Sequence, residues 1–310
     1  MSWRNWADWA KTSDRMLRIA DRLGRGRGQL RVFDDLQKQP PRGRRPDLTR
    51  WTDSELAAVW IGHATILLRI AGMTILTDPV FSSRIGVGFG LVTAGPQRLV
   101  APALTVRQLP KIDLLLLSHA HFDHLDRPTL AKVDRRIPMV TANGTSDLVK
   151  DLGFRDVTEL RWGQTHTFKG IRLTAREVKH WGARTFLDRH RGYNAYLIES
   201  EKHRVLYGGD TGYQEFFKDV GKVDLAILGI GGYDPYVASH ATPEQAWAMT
   251  NHLEADHLLP MHHSTFRLSY EPAGEPMERL LRAAGDESGR IIVRQVGGQW
   301  AIGPGDPPPA

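Results

Sequence analysis

The 310-residue chain contains no cysteine. Disulfides, thiolate metal ligands and a cysteine nucleophile are therefore excluded together. It also lacks any apolar run near the ~20 residues that a membrane-spanning helix needs. Residues 1–20 carry Arg4, Asp8, Lys11, Asp14, Arg15 and Arg18, which leaves no hydrophobic region of the signal-peptide kind. The expectation is a cytosolic protein, at most peripheral at a membrane surface. Most of the chain lacks basicity as well. The formal charge is +6, but residues 1–50 hold 13 Lys and Arg against 6 Asp and Glu, so residues 51–310 carry −1. A neutral body offers no basic groove, and no nucleic-acid partner is expected. What remains, 41% apolar and 25% charged residues, suits a folded globular core.

Two regions are expected, 1–50 and 51–310. In residues 1–22, Trp3, Trp6, Trp9, Met16, Leu17 and Ile19 recur near helical spacing with charges between them. This predicts an amphipathic helix, followed to Arg50 by an arm rich in Arg, Pro and Gly. The helix suits peripheral contact with an anionic membrane. Packing on its own body or on a neighbouring subunit in a homo-oligomer is the preferred reading, because Asp8, Asp14 and Asp21 interrupt its basic face. From Leu56 onward, short aliphatic and β-branched runs predict strands over 58–61, 65–70, 73–77, 113–117, 137–140, 171–178, 193–198, 204–207, 225–230, 257–260, 291–295 and 299–302. Helices are expected over 128–133, 145–152, 214–220, 243–253 and 275–284. Thr242 before Pro243 supplies an N-cap followed by proline at the first helical position. Two strand-rich halves with interspersed helices imply an α/β protein, an αββα four-layer sandwich.

The chemistry is concentrated in Ser118-His119-Ala120-His121-Phe122-Asp123-His124, which follows four consecutive leucines. A buried strand would deliver three imidazoles and a carboxylate to its C-terminal end. Two histidines separated by one residue in extended chain project to the same side. Such a set suits Zn²⁺, and Mn²⁺ or Fe²⁺ with less discrimination. Without a cation, three buried histidines within six residues would be hard to satisfy. Asp210 follows an apolar strand and two glycines, and a buried carboxylate there is costly unless paired or metal-bound.

This pattern resembles the metal-binding signature of the metallo-β-lactamase superfamily. Trp60–Thr65, Leu76–Phe81, Gly95-Pro96-Gln97-Arg98, His180-Trp181, Gly209–Tyr213 and Met261–Phe266 resemble one branch of it, in the expected order. That branch holds the N-acyl-phosphatidylethanolamine-hydrolysing phospholipase D enzymes and, further off, sugar-acid-phosphate lactonases. The resemblance implies two divalent metal ions, zinc before manganese or iron. His119, His121 and His180 would hold one, Asp123, His124 and His262 the other, and Asp210 would bridge them. It further implies a metal-bridging hydroxide as nucleophile, oriented by Asp123.

His63, in Gly62-His63-Ala64-Thr65, would line the substrate pocket, as would Tyr233. His240 matches a histidine near the substrate phosphate or leaving group, with a general acid/base or binding role; the plain alternative is a surface histidine at a helix entry. His263 stands beside His262, so a slip of one position is the readiest ligand error. His166, His190, His203, His252 and His257 attach to no motif. The implied function is a phosphodiesterase acting on a phospholipid-like or other small-molecule substrate. The alternative is a lactonase or other carbonyl-centred hydrolase, and a binding module without catalysis ranks behind both. Two departures from the phospholipase pattern argue against long acyl chains: a shorter stretch from Gly232 to His240, and no tryptophan in Arg184–Asn194.

Overall fold

A computed structural model describes residues 40–303 except 50, 90, 91 and 186. The helix expected over residues 1–22 lies outside the described residues. So does the arm up to residue 39. Residues 42–47 run along the body: Arg42 bridges Ala101, Arg44 N–H donates to Val296 O, and Asp47 N–H donates to Gln299 Oε1.

Fifteen strands are described. They are β1 Leu56–Gly62, β2 Thr65–Ile70, β3 Met73–Thr77, β4 Val87–Phe89, β5 Val92–Ala94, β6 Leu114–Leu117, β7 Met139–Ala142, β8 Val157–Leu160, β9 Thr165–Phe168, β10 Ile171–Arg176, β11 Ala195–Glu199, β12 Arg204–Tyr207, β13 Leu225–Gly229, β14 His257–Met261 and β15 Gln299–Ile302. One sheet runs β15-β1-β2-β3-β6-β7-β8, the other β14-β13-β12-β11-β10-β9, and β4-β5 form a separate hairpin. Helices α1 Arg127–Leu130 and α2 Asp147–Lys150 are single turns; α3 Pro243–His252 and α4 Glu275–Ala284 are longer.

The strands explain the layering. In β6, Leu114 and Leu116 enter the core between the sheets, while Leu115 and Leu117 pack outward with Leu130, Val149 and Phe154. A strand buried on both faces has no polar side, hence four leucines in a row. On the other sheet, Ala226 and Leu228 of β13 pack against Trp247 and Met249 of α3 and Leu280 of α4. The layers are therefore helix, sheet, sheet, helix. At the start of α3, Thr242 Oγ1 accepts from Gln245 N–H and Gln245 Oε1 accepts from Thr242 N–H, a closed capping box.

Strands β4, β5 and β8 are not among the expected strands, and three further local differences have physical causes. Residues 291–295 form no strand: Ile291 makes a single bridge to Leu258, after which Gly297 and Gly298 turn the chain beneath Trp60. β9 is an edge strand of Thr-His-Thr-Phe with alternating exposure, and its pattern carries too little apolar weight to be read as a strand. The helix expected over 214–220 is a short 3-10 turn, Phe216–Val220. β6, β7 and β8 run parallel, as do β12, β13 and β14, so the loops following these strands gather at one end of the sandwich.

Candidate metal centre

Each functional side chain sits on a loop at that end. β6 leads to His119, His121, Asp123 and His124. β10 leads to His180, β12 to Asp210, β13 to His240 and β14 to His262, while His63 follows β1. Asp210 is reached through Gly209, whose φ is +54° and where a Cβ would lie 2.8 Å from both Asn194 O and Ser118 Cβ. Only glycine fits so close a passage. His63 and His262 themselves have left-handed φ values of 57° and 61°, a strain of about 1–3 kcal/mol each that concentrates at functional sites.

Two groups of ligand atoms form. In the first, His121 Nδ1 lies 2.9 Å from His119 Nε2 and 3.2 Å from His180 Nε2. Asp210 Oδ2 lies 3.9 Å from His119 Nε2 and 3.7 Å from His180 Nε2. In the second, Asp123 Oδ2 is 3.7 Å from His124 Nε2 and 3.3 Å from His262 Nε2. Asp210 Oδ2 is 3.1 and 3.2 Å from the same two nitrogens. The structure thus brings together all seven residues of the expected ligand set. His263 lies elsewhere: its ring packs on Trp60 at 4.6 Å and its Nδ1 meets Ser264 Oγ at 2.9 Å.

The donor set fits a cation. His124 Nε2 and His262 Nε2 are buried and make no hydrogen bond, although Asp210 Oδ2 is close to both; Asp210 Oδ1 is orphaned too. Buried polar atoms that converge without hydrogen-bonding geometry call for a common partner. The opposite ring nitrogens are held. His124 Nδ1 pairs with Asp78 Oδ2 at 2.7 Å, His119 Nδ1 with Ser118 Oγ at 2.9 Å, His180 Nδ1 with Ser239 O at 3.2 Å and His262 Nδ1 with Gly231 O at 3.3 Å. Such bonds orient each ring so that its Nε2 faces inward.

Charge follows the same division. Burial, with neighbouring imidazoles, holds His119 well below the usual histidine pKa; burial also lowers His180, and it brings His121 down to about 4. These are neutral imidazoles, ready to coordinate. Burial opposes a charge on His124 and His262 as well, but Asp210 and Asp123 outweigh it, raising His262 to about 9 and His124 well above its usual value. Burial likewise opposes ionisation of Asp123 and Asp210, yet the facing histidines hold both well below the carboxylate range. Two buried anionic carboxylates among imidazoles are a site whose charge a divalent cation balances.

The remaining expected residues are placed as follows. His63 is buried, with Nε2 2.9 Å from Asp123 Oδ2 and its ring 4.1 Å from that of His262. His240 stacks on His262 at 5.1 Å, with Nδ1 3.9 Å from Asp210 Oδ2, and burial lowers its pKa to about 4. Tyr233 turns away toward α4, donating its hydroxyl to Glu275 Oε1 at 2.8 Å beneath the Arg279 guanidinium.

Two residues that sequence reasoning missed hold the ligand loop. Asp78 does so from within the core. Arg184 does so from outside: its Nη1 donates to Ala120 O at 2.6 Å and Leu125 O at 2.8 Å, and its guanidinium lies 3.8 Å from the Phe122 ring centre. One side chain thus holds three residues of the loop that lie outside the expected ligand set. Burial lowers its pKa only to about 10, so it stays charged. Arg184→Met is expected to weaken metal affinity about tenfold in chelator competition, with part recovered by Arg184→Lys, which keeps the charge but not the planar fork. Equal affinity in the methionine variant would refute this role.

An αββα sandwich with such a cluster at one end of its sheets defines the class of protein, a metal-dependent hydrolase. A family model described as a beta-lactamase superfamily domain matches residues 73–263, and the chain belongs to that superfamily. It is 35% identical over 263 residues to an uncharacterised protein of Mycobacterium tuberculosis, covering 80% of this chain and 69% of that protein. It is 30% identical over 251 residues to N-acyl-phosphatidylethanolamine-hydrolyzing phospholipase D 1 of Caenorhabditis elegans, covering 74% and 70%. A solved structure of a possible metal-dependent hydrolase from Veillonella parvula superposes with a TM-score of 0.66 at 18% identity, covering 80% of this chain and 100% of that one. Among the described residues no helix is long and apolar enough to cross a membrane.

Proposed function

We propose that this hydrolase binds two divalent cations and cleaves a phosphodiester of a phospholipid-like substrate. One observation carries the two-cation reading: a single carboxylate oxygen, Asp210 Oδ2, stands 3.1–3.9 Å from ligand nitrogens of both groups. The imidazole-rich donor set favours zinc over magnesium or calcium. The likeness to the nematode phospholipase supports the substrate class. When bound, such a pair acidifies water toward neutrality and draws off charge developing on a phosphoryl or carbonyl oxygen.

His119, His121 and His180 would hold one cation, Asp123, His124 and His262 the other, with Asp210 common to both. Asp123 Oδ2, held by His63, would also orient the attacking water. His240 is neutral at pH 7 with its pKa near 4, so it would accept a proton or hydrogen-bond a substrate oxygen rather than act as an acid. Its ring is seated against His262 and edge-on to His180 at 5.1 Å, which fixes its aim into the site.

The test is a substrate panel on metal-analysed protein, comparing phosphodiesters, N-acyl phospholipids, lactones and a chromogenic cephalosporin. Phosphodiester turnover supports the proposal. A profile confined to lactones would transfer the site to carbonyl chemistry. In the same assay His121→Ala is expected to lose metal and nearly all hydrolysis while its melting temperature stays near that of the parent. The reason is that His121 is only partly buried and its Nε2 makes no hydrogen bond, so truncation leaves only the His119 and His180 nitrogens beside its Nδ1 without a neighbour. Parental activity in that variant would overturn the ligand assignment.

A further inference from the structure

Among the described residues, five large apolar side chains are strongly exposed: Val87 at 41%, Trp162 at 42%, Leu187 at 79%, Val237 at 46% and Tyr270 at 66%. Scattered singly over a surface they would need no explanation. They are not scattered. Val87 opens β4 two residues after Ile85, which packs with Phe266 of the loop after β14; Trp162 follows β8, Leu187 follows His180, Val237 lies in the loop after β13, and Tyr270 follows His262. All five therefore stand at the end of the sandwich that carries the metal ligands.

The opposite end is built differently. Its turns present Arg155 and Asp156, Lys169, Glu201 and Lys202, and Glu254 and Asp256, all exposed. The contrast lies in the strongly exposed side chains, because the apolar residues of the opposite end, Val106, Leu109, Ile112, Ile137 and Phe168, are half-buried in a shallow groove with Lys111 and Lys169. Exposed charge of both signs stands among the apolar side chains of the metal-bearing end: Arg161 beside Trp162, Lys179 beside His180, Arg189 two residues after Leu187 and Arg267 three residues before Tyr270, against Glu177 and Asp234. The stretch from Gly86 to Gly95, which includes the β4–β5 hairpin, carries no charged residue at all. Apolar side chains among which exposed cations outnumber exposed acids match an anionic phospholipid surface, whose acyl region takes the former and whose headgroups attract the cations.

We infer that the apolar rim around the metal centre is a docking surface for an anionic phospholipid bilayer, and that it sets the mouth of the site against the headgroups. The inference rests on the phospholipid reading above and adds to it the face by which the substrate is approached. A site that meets the bilayer directly needs no deep acyl tunnel, because the chains can stay in the membrane. The short Gly232–His240 loop then raises no conflict with a lipid substrate.

Flotation of the full chain with phosphatidylcholine vesicles containing phosphatidylglycerol tests this. The comparison is with the double variant Leu187→Gln and Val237→Gln, which removes apolar surface without altering charge and touches no proposed ligand. The expected result is partitioning at least ~10-fold weaker, with hydrolysis of a water-soluble phosphodiester within about twofold of the parent. Equal vesicle binding by variant and parent, or no vesicle binding by the parent, would overturn the docking surface even if phospholipids in detergent are hydrolysed. Failure of the phospholipid reading shows separately, as vesicle binding without phospholipid turnover in the panel. Light scattering covers the remaining occupant: a dimeric parent and a monomeric variant would make the rim a contact between two copies and overturn the inference.

Discussion

Asp210→Asn is expected to reduce turnover at least ~100-fold, about 2.7 kcal/mol of barrier, while leaving the fold in place. Asp210 is 4% exposed, its Oδ2 lies 3.1–3.9 Å from imidazole nitrogens of both groups, and its Oδ1 has no hydrogen-bond partner. Asparagine preserves the shape and one oxygen donor but removes the charge. In the proposed arrangement, an ionised Asp210 gives each group of three ligands an anion that it shares with the other. With asparagine, the first group keeps three neutral histidines and the second keeps Asp123 as its only carboxylate. The second cation should then bind less tightly, so substoichiometric metal should accompany the lost rate, and added Zn²⁺ or Mn²⁺ should restore part of it. Metal per chain, measured beside melting temperature, decides the matter. Two tightly held cations with parental turnover would remove Asp210 from the shared position. A fall in stability with metal content intact would reduce it to a turn residue.

How far this site could be read from sequence depends on how the residues are distributed along the chain. His119, His121, Asp123 and His124 lie within six positions behind a leucine run, and no ordinary surface turn needs that combination. His180, Asp210 and His262 are isolated, and only likeness to a family singled them out. The supporting residues gave less signal still. Asp78 lies in Leu76–Phe81, a stretch that resembles the family but assigns it no role, and its partners lie 40, 46 and 129 residues away. Arg184 reaches carbonyl groups, which leave no mark in sequence. The fold shows the same division. β6 and β13 announce themselves by aliphatic runs, whereas β9 depends on the neighbour it pairs with. Ile291 and Val293 look like strand residues because they are buried, but burial alone does not make a ladder.

Asp78→Asn should show that the centre is built as much by what stands behind the ligands as by the ligands themselves. Asp78 is fully buried and accepts four hydrogen bonds. Oδ1 takes Ser118 N–H at 2.7 Å; Oδ2 takes Ser118 Oγ at 2.5 Å, His124 Nδ1 at 2.7 Å and the Tyr207 hydroxyl at 2.6 Å. Asp78 also lies near His119 and His124 as a potential ligand set of its own. Its oxygens are already committed to these donors, so it acts as a support. An asparagine has one acceptor for two directions. If its oxygen faces His124, its amide opposes the Ser118 N–H, and an unsatisfied buried donor there costs about 1–3 kcal/mol. If it turns over, His124 loses the bond that fixes its ring. Either way metal affinity should fall ~10–100-fold, the range that loss of a support behind a ligating histidine brings. Tyr207→Phe removes one donor from the same carboxylate without disturbing the His124 bond, and should lower stability while changing affinity little. Chelator competition on both variants, well below their melting temperatures, separates support of the ligand from support of the fold. Equal affinities in Asp78→Asn and the parent would show that the His124 ring is held by its packing alone.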